Sequence, residues 1–330
     1  MDIIRKNSNN GAFYYVHRKT KKKINNNSLL KRIHSLKIPP AYKQVKISSN
    51  PNSKVQCIGT DTKQRKQYMY HHQWSEQQTK IKFMDLIQFG KKIKRIKKDM
   101  NINLNKCYNN PSLLTNKDNL ISLVLYLIDY CNFRVGCEKY KKLYNSYGVT
   151  TLNNSHFKLN KNNILIQFIG KKGVINKNKV NNKNICSLIK TLCNNNDEYI
   201  FTYLDKNNDK YRITEKHIND YLKKYNKNLS VKMFRTWNSN YILLKELLNL
   251  ELPDSLKMAK KNINIAIKKA AEQLHHSSNV SKKSYMNNEI VTLYIENPLR
   301  FKQIVESFRK KNGNLPTINR LLNQILYHLS

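Results

Sequence analysis

His276 stands nine residues ahead of Tyr285, with Lys282 and Lys283 just before the tyrosine. A phenol is a poor nucleophile at neutral pH, with an ordinary pKa of about 10. It can attack a phosphodiester only where cations neutralise the charge building on phosphorus and favour the phenolate. Such a tyrosine needs arginines, a lysine and a further donor from elsewhere in the chain. Arg134 lies in Cys131-Asn132-Phe133-Arg134-Val135-Gly136, at the end of the most apolar helical stretch, where an unpartnered charge is costly. Lys171 sits in Gly170-Lys171-Lys172-Gly173, a glycine-flanked turn that could carry a proton donor. Lys232 and Arg235 are three apart, so they share one helical face. Each also has a plain structural reading: a snorkelling arginine, a turn lysine, a basic helix, and one pair among nine histidines and 20 tyrosines.

The elements that must position these residues change character along the chain. Phe13 to Val16, Gln44 to Ser48 and Val55 to Thr60 read as strands, with a short helix over Leu29 to Leu36 stopped by Pro39-Pro40. From Phe83 the apolar period becomes helical, and Asp118 to Phe133 predicts a core helix. A small antiparallel sheet is expected from Thr150-Thr151-Leu152, Ser155 to Leu159, Ile164 to Ile169 and Val174 to Val180, with the Lys171 turn before its last strand. Helices are expected over 184–194, 214–225, 232–249, 259–275, 281–295, 299–311 and 316–328, separated by Asn-rich loops. The fold class is α+β: a mostly-β N-terminal domain over residues 1–82 and a larger, mainly helical domain with one hairpin over 83–330. Two such bodies suit a clamp around a duplex.

The 330 residues carry 61 Lys plus Arg against 21 Asp plus Glu, a formal net charge of +40. An Asn/Lys-biased composition explains many lysines but not the scarcity of acids. The excess points to a polyanion and to steeply salt-dependent binding. Six cysteines show no CxxC pair, so neither a zinc site nor a disulfide framework is expected, and no cofactor or Asp/Glu metal cluster stands out. The longest apolar run, Leu120 to Tyr130, is too short to span a bilayer, and the N-terminus has no apolar core of a signal peptide. A soluble intracellular protein, without membrane contact, is expected. Arg65-Lys66-Gln67-Tyr68-Met69-Tyr70 joins basic, amide and aromatic groups suited to phosphates and base edges, and also reads as a surface strand with its aromatics on the sheet.

Order and context make these residues specific. Leu36-Lys37-Ile38-Pro39-Pro40-Ala41-Tyr42, Gly59-Thr60-Asp61 through Tyr70, Phe133-Arg134-Val135-Gly136, Phe168-Ile169-Gly170-Lys171, Lys232-x-x-Arg235-Thr236 and His276 with Tyr285 follow one another as in a known family. The chain resembles the type IB DNA topoisomerases, most closely the short two-domain enzymes of poxviruses and other large DNA viruses. The resemblance implies a catalytic set of Arg134, Lys171, Arg235, His276 and Tyr285, with DNA contacts at Arg65, Lys66, Gln67, Tyr68, Tyr70, Lys139, Tyr140, Lys232, Lys282 and Lys283. It implies cleavage of one strand of duplex DNA through a 3′-phosphotyrosyl link, then religation, by a monomer needing neither ATP nor metal. A viral chain would work in the virion or the host-cell cytoplasm and viral factory; otherwise the nucleus or nucleoid is expected. Three departures stand out: Gln64 and His275 where the family commonly has glycine, and Lys172 where it commonly has aspartate. A tyrosine recombinase shares the plan but usually carries histidine where this chain has Lys232. A basic DNA-packaging protein would need no ordered catalytic set.

Overall fold

A computed structural model describes residues 1–195, 197–310 and 317–329. The chain divides into two compact units, Met1–Lys82 and Phe83–Ser330. The first is an antiparallel sheet of β1 (Ile3–Asn7), β2 (Phe13–His17), β3 (Lys43–Ile47), β4 (Val55–Thr60) and β5 (Lys66–Tyr70), with α1 (Asn27–Ser35) between β2 and β3. The sheet order is β2-β1-β3-β4-β5, so the two outer strands are β2 and β5. Alternation places Ile3, Tyr15, Val45, Ile47 and Cys57 in a small core beside Ile24 and Ile33. Arg5 is buried, and its guanidinium donates to the carbonyls of Pro39 (3.2 Å), Pro40 (3.2 Å) and Tyr42 (2.5 Å), which fixes the Pro39-Pro40 turn. β1 is not expected from periodicity, because it is short and half polar, whereas β5 takes up the surface-strand reading of Arg65 to Tyr70.

The second unit is built on a core around α3 (Lys117–Cys131), whose Leu120, Ile121, Leu123, Val124, Leu125, Leu127 and Ile128 are all buried. α2 (His72–Asn109) begins in the first unit and is far longer than the stretch from Phe83 to Lys98 suggests. After α3 come α4 (Glu138–Tyr144) and the sheet of β6 (Phe157–Leu159), β7 (Ile164–Ile169) and β8 (Ile175–Val180). Val149–Thr151 is a 3₁₀ turn, not a strand. α5 (Lys183–Cys193) leads to a small hairpin, β9 (Thr202–Leu204) and β10 (Lys210–Arg212), where only a loop between two helices is expected. The remaining helices are α6 (Glu215–Lys223), α7 (Lys232–Asn249), α8 (Leu256–Gln273), α9 (Ser278–Ser284), α10 (Asn288–Glu296), α11 (Pro298–Lys310) and α12 (Ile318–Leu329). The ends of the expected helices at 311 and 316 lie outside the described residues. No helix among the described residues is long and apolar enough to cross a membrane.

Two features correct the sequence expectation. The Asn-rich loops are also start signals: Asn26, Asn116, Asn182 and Asn287 each accept a backbone N–H at the first turn of a helix. The single helix expected over 281–295 is instead two, α9 and α10. Asn287 begins the second by capping Ile290, and Tyr285 closes the first. The break sets the tyrosine outside regular helix.

Candidate active site

Arg134 is placed by the end of α3. Asn132 adopts left-handed backbone (φ 55°), which asparagine tolerates better than most residues, and turns the chain out of the helix. The segment beyond it is then clasped. Val149 donates to the Arg134 carbonyl (2.9 Å) and Thr150 to that of Val135 (2.7 Å). This close approach requires Gly148, where a Cβ would lie 2.4 Å from the Gly136 nitrogen and 2.6 Å from the Arg134 oxygen.

Arg235 lies one turn into α7 and is 4 % exposed. One guanidinium nitrogen donates to the Asn132 carbonyl and the other to that of Leu274 (2.7 Å); its Nε is buried without a partner. Burial, then the charge of Arg134, pushes its pKa down to about 10. Two guanidinium groups therefore converge, and among the described residues neither has a carboxylate partner. Such a pair disfavours itself until an anion arrives.

Tyr285 stands in the α9–α10 break with the Arg235 guanidinium carbon 5.5 Å from its ring centroid. Burial raises its phenol, but Arg235 and then Arg134, by charge and hydrogen bonding, outweigh it and leave the pKa below the ordinary value. The His276 ring stacks on that of Tyr285, with centroids 4.9 Å apart and an interplanar angle of 11°. Its Nδ1 lies 3.3 Å from the Ser277 carbonyl, and its Nε2 is buried without a partner. Burial first, then Arg235, pushes the imidazole down to about 4, so it is neutral in the free protein.

Four of the five expected residues thus meet. Lys171 does not join them: it is exposed at the β7–β8 tip, and no hydrogen bond or ion pair among the described residues ties it to the other four. Lys172, beside it, has a positive φ of 67°, as do Gln64 (58°) and His275 (53°). The last two are the positions where the family commonly has glycine, and the backbone gives the reason.

Sequence reading missed a layer of asparagines behind the site. Asn240 is fully buried; it donates to the carbonyls of Thr236 and Tyr285 (both 2.8 Å) and accepts from the Asn287 N–H (2.8 Å). It therefore holds both ends of the break. Asn238 donates to the Asn132 side chain (2.8 Å) and to the Asp129 carbonyl (3.0 Å), supporting the turn before Arg134. The available signal was Thr236, Ser239 and Asn240 interrupting an apolar helix.

The expected DNA contacts divide by setting. On β5, Lys66, Tyr68 and Tyr70 share the exposed face, and the two rings stack 6.2 Å apart. Arg65 and Gln67 instead meet the buried Asp61: Arg65 by an ion pair of 2.6 Å and Gln67 by a hydrogen bond of 2.9 Å. The Arg65 guanidinium, chiefly, and backbone donors hold the Asp61 carboxyl well below the usual range. Lys139 and Tyr140 are exposed on α4. Lys232 is exposed at the start of α7, and Lys282 and Lys283 are exposed in the last turn of α9, beside Tyr285.

In this basic α+β chain, Arg134 and Arg235 gather positive charge around the Tyr285 phenol. Residues 63–311 match the model of the eukaryotic DNA topoisomerase I catalytic core, and residues 12–61 that of the bacterial DNA topoisomerase IB N-terminal domain. DNA topoisomerase 1B of Acanthamoeba polyphaga mimivirus is 35% identical over 277 residues, 82% of this chain and 81% of that protein. DNA topoisomerase I of Monkeypox virus is 26% identical over 72% of this chain and 71% of its own, and DNA topoisomerase 1 of rabbit fibroma virus is 24% identical over 72% of each. The chain belongs to the type IB DNA topoisomerases. DNA is its partner, and the recombinase and packaging alternatives fall away.

Proposed function

We propose that Tyr285 is the nucleophile of strand cleavage. Its oxygen attacks a phosphodiester of one strand, the bond from phosphorus to the 5′-oxygen breaks, and a 3′-phosphotyrosyl link remains. The convergence of Arg134 and Arg235 on this phenol, with the His276 ring stacked on that of Tyr285, carries the reading. Both guanidinium groups can hold nonbridging oxygens, and they favour the phenolate as its proton leaves. His276 supplies a further donor to the phosphoryl oxygens. Lys171 gives the departing 5′-oxygen its proton; it acts from an exposed turn, so the hairpin tip closes on the site when DNA is bound. The phosphotyrosine retains the bond energy, so religation by the 5′-hydroxyl needs neither ATP nor metal. Rotation of the nicked duplex between the two steps relaxes supercoils of either sign.

In the same reading, residues 1–82 bind the duplex beside the cleavage point and residues 83–330 cut it. Lys66, Tyr68 and Tyr70 on the open face of β5 reach the groove, with Arg65 and Gln67 free to reach bases only by leaving Asp61. Lys139, Tyr140, Lys232, Lys282 and Lys283 contact phosphates. The chain acts as a monomer, away from membranes, in the virion or host cytoplasm of a large DNA virus. Supercoiled plasmid incubated in EDTA without ATP tests the chemistry: relaxation is expected, while a requirement for either would contradict it.

A further inference from the structure

The catalytic groups come from four separate places in the chain, and something must hold those places in register. Arg235 does so in part, by donating to the Asn132 and Leu274 carbonyls. The neighbouring tie is His275. Its backbone is left-handed (φ 53°), a conformation that residues with a Cβ rarely adopt. Its Nε2 lies 3.2 Å from the Cys131 carbonyl, and its ring meets Phe133 with centroids 5.5 Å apart. Phe133 in turn packs edge-on against Phe168 at 4.8 Å. Each of these rings is close in sequence to a catalytic residue: His275 to His276, Phe133 to Arg134, and Phe168 to Lys171.

Resting on the function proposed above, we propose that His275 is a positioning residue, tying the His276 loop to the Arg134 segment through Cys131 and Phe133. A carbonyl only accepts, so the ring nitrogen facing Cys131 carries the hydrogen and donates it. Among the described residues its side-chain hydrogen bond goes to Cys131 and its ring contact to Phe133, not to Tyr285, so its effect on the chemistry passes through its neighbours. Loss of this tie lets the imidazole of His276 and the guanidinium of Arg134 drift apart while the DNA-binding surface is untouched.

Single-turnover cleavage by His275→Gly and His275→Gln tests this. Glycine suits the left-handed backbone, so His275→Gly keeps or raises the melting temperature. Its cleavage rate falls roughly ten- to a hundredfold, as for a misplaced reacting group. DNA affinity, set by phosphate contacts, stays within about twofold. Glutamine places an amide N–H where the ring nitrogen stood, and His275→Gln returns the rate to within about threefold of the parent. His275→Gly cleaving at the parent rate, or His275→Gln remaining as slow as His275→Gly, would overturn the proposal. A parent protein that forms no adduct would sink the proposed chemistry itself.

Discussion

At the scale of single residues, the site works by imbalance of charge. Arg134 and Arg235 both face the Tyr285 phenol, and among the described residues no carboxylate pairs with either of them. Arginine and lysine differ here, since only the planar guanidinium can reach two oxygens at once. Arg235→Lys is therefore expected to slow single-turnover cleavage by on the order of 10²-fold, because the ammonium keeps the charge but loses the two-oxygen contact. His276 has a pH signature. Its folded pKa of about 4 lies below the unfolded value of about 6.5, so the unfolded chain binds the proton more readily. Its contribution to stability is complete above pH 6.5 and is lost as pH falls toward 4. Urea midpoints should fall across that window, and fall less in His276→Gln.

At the scale of elements, the break between α9 and α10 is the decisive construction. The stretch 281–295 reads as one helix in the sequence. What interrupts it is a long-range partner, Asn240, which no local pattern reveals. The same holds for Gly148, whose importance comes from the strand-like segment lying against it. The residues proposed as catalytic could be singled out in the sequence because each sits in a short, ordered context; the asparagines behind them could not, because they act through backbone groups far along the chain. Asn240→Ala should leave the Asn287 N–H and the Tyr285 carbonyl unsatisfied and cost about 2 kcal/mol in urea unfolding. Gly148→Ala should be destabilising by a similar or larger amount, about 2–3 kcal/mol, because its Cβ meets backbone that cannot move aside cheaply.

At the scale of the molecule, the net charge of +40 was the most legible feature and the least specific. The small sheet was half legible: β3 and β4 carry apolar, β-branched residues, whereas β1, though inside the sheet, and β5 at its edge are short and half polar. Charge at this density predicts that duplex affinity falls by about 10³-fold between 50 and 200 mM salt if six phosphates are neutralised; a fluorescence titration across that range checks it. The central claim is that all these parts serve one attack by one phenol. The parent chain and Tyr285→Phe are each mixed with supercoiled DNA in EDTA, denatured, digested with protease and nuclease, and the nucleotide-bearing peptide is sequenced. The account predicts an adduct on Tyr285 in the parent and none in Tyr285→Phe, with both proteins binding DNA alike. An adduct on another residue, or one that persists in Tyr285→Phe, would contradict it.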